Sequence, residues 1–235
     1  MLNTDDIVPL YKQLETLLEG KIYSGEYKAK ERIPSETELA NQFNVSVITV
    51  KKAISLLVER GIVQRKQGKG TFVSAPKYKR DLGKITSFSE ACRLNGTVPS
   101  SKTLACKIEI ASQEIIDKLE CKDDKVVYIS RLRYIDGEPI VVENNWLPLS
   151  CSFLLEVDLE NDSLFEALYK YKEIEMHTAH RSIDICRASS EEAKLLNVTK
   201  GAPLLYISSI VYSVDSAPVF VGKQIINAER YSFTL

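Results

Sequence analysis

Two groups of charged side chains have spacings that can do chemistry. The first is cationic: between Val45 and Arg80 there are nine Lys and Arg residues and one acid, Glu59. Such a run, presented on one face, binds a nucleic-acid backbone, because each cation that meets a phosphate releases a condensed counterion. It is also what an ordinary solvated surface carries, so its place relative to local structure decides between the two. The second group is Arg131 and Arg133, two residues apart in a stretch patterned as a strand, which puts both on one face. Paired guanidiniums grip phosphate or carboxylate through parallel charge-assisted hydrogen bonds. Strand arginines near Glu138 and Glu143 can equally be surface ion pairs that contribute little. Two S-x-x-E tetrads, Ser87/Glu90 and Ser163/Glu166, read as capping boxes at helix starts, whose free N–H groups suit an anion, although most such boxes only cap.

The elements that must position the cationic run can be read directly. In residues 33–73 (IPSETELANQFNVSVITVKKAISLLVERGIVQRKQGKGTFV), Ser35 and Glu38 form another capping box, and Leu39, Ala40 and Phe43 follow at helical spacing. Asn44 breaks this helix and Ser46 caps the next. Val50, Ala53, Ile54, Leu57 and Val58 fill one face of that second helix, which Gly61 stops. Residues 62–65 and 70–74 then alternate as two short strands around Gln67-Gly68-Lys69. Helix, turn, helix and basic hairpin make a winged helix-turn-helix.

Bulk properties fit this reading. The chain has 235 residues, 44% hydrophobic and 27% charged, enough for one large or two ordinary domains. No apolar run approaches the roughly 18 residues of a membrane span. The N-terminus lacks a basic-then-apolar export pattern, so a cytoplasmic protein is expected. The five cysteines (Cys92, Cys106, Cys121, Cys151, Cys186) have no zinc spacing and an odd count, and read as reduced packing residues. Neither a metal nor a cofactor is implied, and His177 and His180 read as sheet residues. Net charge is −1, but residues 1–84 hold 15 bases against 10 acids, leaving 16 against 22 in the remainder.

Residues 75–84 read as a linker between domains at 1–74 and 85–235. The second domain mixes strands at 102–110, 125–135, 138–146, 177–188, 204–214 and 219–226 with helices at 112–119, 163–171 and 189–195, an α+β antiparallel-sheet pattern without an evident internal repeat.

The first seventy or so residues, with Pro9-Leu10-Tyr11-Lys12-Gln13-Leu14, Ser24-Gly25-Glu26-Tyr27 and the closing GKGTFV, resemble the DNA-binding domain of the GntR family of bacterial transcription regulators. The resemblance implies a DNA contact set of Ser35, Thr37, Ser46, Val47, Thr49, Lys51 and Lys52, with Lys69 and Gly70 at a wing tip that enters the minor groove. Relatives usually carry arginine where this chain has Thr37, Val47 and Lys51, so a different operator is expected; valine can meet a thymine methyl but cannot bind guanine.

Residues 82–235 resemble the effector-binding UTRA domain of the HutC subfamily, with a chorismate-lyase-like fold. The matching features are LGKITSFSEA, R-L-R-Y-I-D-G-E-P, a following glutamate and W-L-P, G-A-P-L-L-Y and N-A-E-R-Y-S-F. The resemblance implies an effector site of Thr86, Ser87, Phe88, Arg131, Arg133, Glu143, Ser163, Phe165, Glu229 and Tyr231, which holds a phosphosugar or other acidic metabolite. Phe165 stands where relatives often have tyrosine, which removes one hydroxyl. A two-residue Asp136-Gly137 turn would pair Arg131 with Val142, whereas a three-residue loop 135–137 with left-handed Gly137 puts Arg131, Arg133 and Glu143 on one face; the second is expected. The function implied is a homodimeric repressor, controlled by a small anion and not an enzyme. The competing readings are a lyase-like enzyme with a DNA-binding appendage and a winged helix used for protein contact.

Overall fold

Ser35 starts its helix by the chemistry its spacing predicts. Its hydroxyl accepts from the Glu38 amide at 3.3 Å, and its own amide donates to Glu38 Oε2 at 2.7 Å. That helix is α2 (Glu36–Phe43), between α1 (Leu10–Tyr23) and α3 (Val47–Glu59). Asn44 ends it in the left-handed region at φ 53°, and Ser46 caps α3 by accepting from the Thr49 amide at 3.1 Å. The hairpin β1 (Val63–Lys66) and β2 (Gly70–Val73) follows, closed by Gln67-Gly68-Lys69. Leu14, Leu18, Ile33, Leu39, Val50, Ile54, Leu57, Val63 and Val73 bury a shared core among these elements. The computed structural model describes residues 2–4, 6–74 and 77–234, and the chain divides into units 1–76 and 77–235.

The second unit is built on a six-stranded antiparallel sheet of β4 (Pro99–Ile110), β5 (Lys125–Ile135), β6 (Glu138–Pro148), β7 (Met176–Arg187), β8 (Pro203–Ser213) and β9 (Pro218–Asn227) in the order β4-β5-β6-β9-β8-β7. One face packs on α5 (Gln113–Leu119) and α7 (Ser190–Leu195). The other packs on α4 (Phe88–Leu94), a 3-10 segment at Leu149–Glu156 and α6 (Leu164–Lys172). A small parallel pair, β3 (Tyr78–Asp81) with β10 (Tyr231–Thr234), closes the α4 end, where Tyr78 and Tyr231 rings stack at 4.8 Å between centroids.

Three expectations need correction. Residues 78–81, read as linker, are strand β3, held by the distant β10, a partner no local pattern reveals; Ala75 and Pro76 of the expected linker lie outside the described residues. The sheet also contains a repeat. Strand–helix–strand–strand occurs as β4-α5-β5-β6 and again as β7-α7-β8-β9, and the strand order is palindromic. Tyr128-Ile129-Ser130 and Pro139 in the first half correspond to Tyr206-Ile207-Ser208 and Pro218 in the second, and both hairpins carry a register shift just before the following tyrosine. Side-chain identity has diverged too far for self-comparison to expose the repeat, while hydrogen-bond register has not. Finally, the β5–β6 loop is the two-residue turn Asp136-Gly137, both left-handed at φ 51° and 78°, closed by Ile135 opposite Glu138. The one-residue shift comes instead from a bulge at Ile140, after which Arg131 faces Glu143 and Arg133 faces Val141.

Candidate nucleic-acid interface and candidate anion cavity

In the first unit the residues expected at DNA fall on the exposed side of α3 and on the hairpin tip. Val47, Lys51, Lys52 and Lys69 are exposed, as is Thr37 at the start of α2. Ser46 Oγ and Thr49 Oγ1 lie 2.9 Å apart, so these hydroxyls satisfy each other as well as the helix start. Ser35 is committed to its cap. The Lys52 ammonium sits 3.8 Å from the centre of the Tyr11 ring, a cation–π contact that fixes its direction. Gly70 has φ 113°, a backbone conformation that favours glycine; a Cβ there would lie 2.8 Å from Nε of the exposed Arg32 side chain, which can swing aside.

The cationic run is thinner than its composition. Arg60 is committed to Glu19 (2.7 and 2.6 Å) and Glu15 (3.1 Å), which tie the end of α3 to α1. Arg65 pairs with Glu36 at 2.9 Å, and Arg80 is buried in the second unit. Lys51, Lys52, Lys66 and Lys69 remain as the exposed cations of α3 and the hairpin. Ile48, 79% exposed at the second position of α3, was not anticipated; its place outside the apolar stripe of that helix was the available signal.

In the second unit, two adjacent rungs of the sheet form a polar floor, with Arg133 beside them on the same face. Arg131, Glu143, Gln224 and Ile207 stand opposite one another in the first, and Asn145, Gly222, Ser209 and Arg181 in the second. Arg131 Nη2 donates to Glu143 Oε2 at 2.7 Å, Arg133 Nη1 to the same oxygen at 3.4 Å, and Gln224 Nε2 to Oε1 at 3.0 Å. Arg133 also donates to Ser89 Oγ at 2.9 Å, and its guanidinium lies over the Phe88 ring. Burial alone would raise the Glu143 pKa, but the two guanidiniums prevail and hold it at about 2. Burial and then Arg131 push Arg133 down to about 10.

The lining residues here carry four guanidiniums (Arg80, Arg131, Arg133, Arg181) and one carboxylate, Glu143. Arg80, Arg131 and Arg133 are each less than a tenth exposed. Arg80 reaches in from β3, donating to the Thr86 carbonyl at 3.2 Å and to Gln224 Oε1 at 3.4 Å. The free volume is about 40 Å³ beneath Arg80 and Arg181 and about 20 Å³ beside Ser163, with Phe88, Phe165 and Phe220 as walls. Ser87 caps α4 through the Glu90 amide at 3.1 Å. Ser163 does not cap α6, contrary to its S-x-x-E spacing; its hydroxyl is buried beside Arg131 and Arg133 without a partner among the described residues, and Glu166 pairs with Arg93 instead.

The structure thus gathers Thr86, Ser87, Phe88, Arg131, Arg133, Glu143, Ser163 and Phe165 around two adjoining hollows that share Phe88, Glu143, Phe165 and Phe220. It leaves out Glu229, which lies exposed in the turn before β10. Tyr231 is buried between Tyr78 and Phe233, with its hydroxyl pushed up to about 12 by burial, behind the cavity and not among its lining residues. Sequence reasoning missed Asn145, Gln224, Arg181 and Arg80. Asn145 could have been found, since it lies two residues from Glu143 on the same strand.

Comparison with known proteins settles the kinship. Residues 10–73 match the bacterial regulatory proteins of the gntR family, and residues 94–232 match the UTRA domain. The chain is 30% identical to the HTH-type transcriptional repressor NagR of Bacillus subtilis over 233 residues, covering 99% of this chain and 96% of that protein. The chain belongs to the GntR family. It is a DNA-binding transcription regulator with an effector-binding UTRA domain. A probable fructoselysine utilization operon transcriptional repressor of Escherichia coli K12 is 32% identical over 96% of this chain and 93% of its own length. PhnF from Mycobacterium smegmatis shares the fold, with TM-score 0.67, 24% identity and coverage of 95% of this chain and 96% of that one. None of the described helices of this GntR regulator is long and apolar enough to cross a membrane.

Proposed function

We propose that this GntR regulator is a homodimeric repressor whose grip on its operator is set by a small anionic metabolite bound between Arg131, Arg133, Ser87 and Ser163. The observation that carries this reading is the charge imbalance across the two adjoining hollows: four guanidiniums, three of them buried, against one shared carboxylate. Uncompensated buried cations are costly, and an anionic ligand removes that cost. The partnerless Ser163 hydroxyl adds a donor aimed into the same space. A sugar bearing an acid group fits this chemistry and the kinship with a repressor named for fructoselysine utilization. Ligand sites usually hold about 300–1,000 Å³, so entry has to move part of the phenylalanine wall, and that movement supplies the coupling to DNA affinity.

Lys51, Lys52 and Lys69 would engage phosphates, with Val47 and Ile48 presented to base edges at the start of α3. Dimer formation through the second unit is supported by the edge strand β7, where Ile183 and Ile185 are 43% and 77% exposed; a two-fold dimer places two heads on a near-palindromic site. The test is operator selection from random DNA, followed by titration with sugar phosphates and sugar acids. Coupling is reciprocal, so the factor by which the ligand changes operator affinity must equal the factor by which operator changes ligand affinity. Equal ligand affinity with and without operator defeats the proposal.

A further inference from the structure

The internal repeat sets a second polar hollow beside the first. By its correspondence Arg131 matches Ser209, Glu143 matches Gly222 and Asn145 matches Gln224. In the first half the rung is filled by the Arg131–Glu143 ion pair. In the second half Ser209 faces Gly222, whose bare backbone lets the polar groups close over it: a Cβ on Gly222 would lie 2.9 Å from Ser209 Oγ and 3.1 Å from Asn145 Oδ1.

Arginine is not absent from this second rung but displaced by one strand. Arg181 on β7 stands directly opposite Ser209 and donates to the Leu82 carbonyl at 2.7 Å. Arg80 lines the same hollow from β3. Among the described residues neither meets a carboxylate, because Glu143, the one acid in the lining, is occupied by Arg131, Arg133 and Gln224. Burial, and then the charge of Arg80, lowers the pKa of Arg181, as expected for like charges kept from water. Arg80 Nε and Asn145 Nδ2 are buried donors without a partner among the described residues. Asn145 is 2% exposed, and a buried donor calls for a partner inside the hollow.

We propose that Arg80, Arg181, Asn145 and Ser209 form a second anion subsite over Gly222, so that the effector carries two acid groups, one at Arg131 and Arg133 and a carboxylate or second phosphate here. This rests on the reading of the first cavity as the effector site. The class of ligand becomes a doubly acidic sugar derivative, such as a phosphosugar acid, rather than a simple sugar phosphate.

The test is a crystal of the full chain soaked in selenate, with the anion located by its anomalous signal. Two peaks are expected, one beside Arg131 and Arg133 and one between Arg80 and Arg181. Arg181→Met keeps the aliphatic length of a half-exposed edge residue and should lose only the second peak. Gly222→Ala keeps both arginines, fills the floor and should lose the same peak, which guards against misfolding of either variant alone. In solution, the rise in Tm given by 6-phosphogluconate should exceed that given by sorbitol 6-phosphate, and the difference should vanish in Arg181→Met. A single selenate peak at Arg131 and Arg133 in the wild type overturns the second subsite and leaves the proposed function standing. Loss of both peaks in a folded Arg181→Met shows one continuous site and also overturns it. With no peak at either position, both readings fall.

Discussion

The two units of this chain both gather cations, but they keep them in opposite states. In the first unit Lys51 and Lys69 are exposed, while Arg60 and Arg65 are tied to acids of the same unit. In the second, Arg131 and Arg133 are each 2% exposed and share one carboxylate. Exposed lysines cost the fold little and act through a long polyanion by counterion release, so their effect fades with salt. Buried arginines are costly unless paired, hardly feel salt, and hold a small ligand in fixed geometry. A DNA-reading surface can therefore lose a charge without losing its fold, whereas the cavity cannot.

Glu143 should break this symmetry most sharply. Glu143→Gln leaves two buried guanidiniums without their carboxylate and should destabilise the second unit by about 3–5 kcal/mol, read by denaturant unfolding. Added phosphate should restore part of the loss. The pH dependence has a definite sign. The folded pKa of about 2 lies below the ordinary 4.5, so the contribution of Glu143 is complete above pH 4.5 and is lost as pH falls from there towards 2. The stability gap between wild type and Glu143→Gln should narrow across that window. A gap independent of pH would show that Glu143 is not held ionised by its arginines.

Gly70 is the counterpart in the first unit, where shape rather than charge is constrained. Gly70→Ala forces a positive φ on an alanine, with an expected cost of about 1–3 kcal/mol, while the exposed Arg32 side chain can move out of the way of the new Cβ. Calorimetry should show this loss only in the transition of residues 1–76. By contrast, Lys51→Ala and Lys69→Ala should leave Tm unchanged. For each that meets a phosphate, the slope of log affinity against log salt should fall by about 0.9.

How much of this was readable depends on the range of the interactions. Capping, turns and apolar stripes are set by neighbours in sequence, so α2, α3, the wing and most strands were legible. The shared face of Arg131 and Glu143 was anticipated, yet the device that produces it is a bulge at Ile140 rather than a longer loop. Both devices shift register by one residue, and only long-range packing chooses between them. Arg80 was hidden because β3 exists only by pairing with β10, and Arg181 because an edge-strand arginine looks like surface.

The S-x-x-E tetrads give the finest comparison, because the sequence writes them alike and the structure uses them differently. Ser35 caps α2 in a complete box, whereas Ser163 makes no cap and turns its hydroxyl into the arginine cavity. Ser35→Ala should therefore cost about 1 kcal/mol of stability in the first unit. Ser163→Ala removes a buried group that has no partner among the described residues, so it should cost about nothing or stabilise slightly. Its effect should appear instead as weaker binding of phosphate, measured by the shift in Tm at fixed phosphate. If Ser163→Ala instead destabilises as much as Ser35→Ala and binds phosphate unchanged, the hydroxyl is a cap after all and the cavity loses one of its donors.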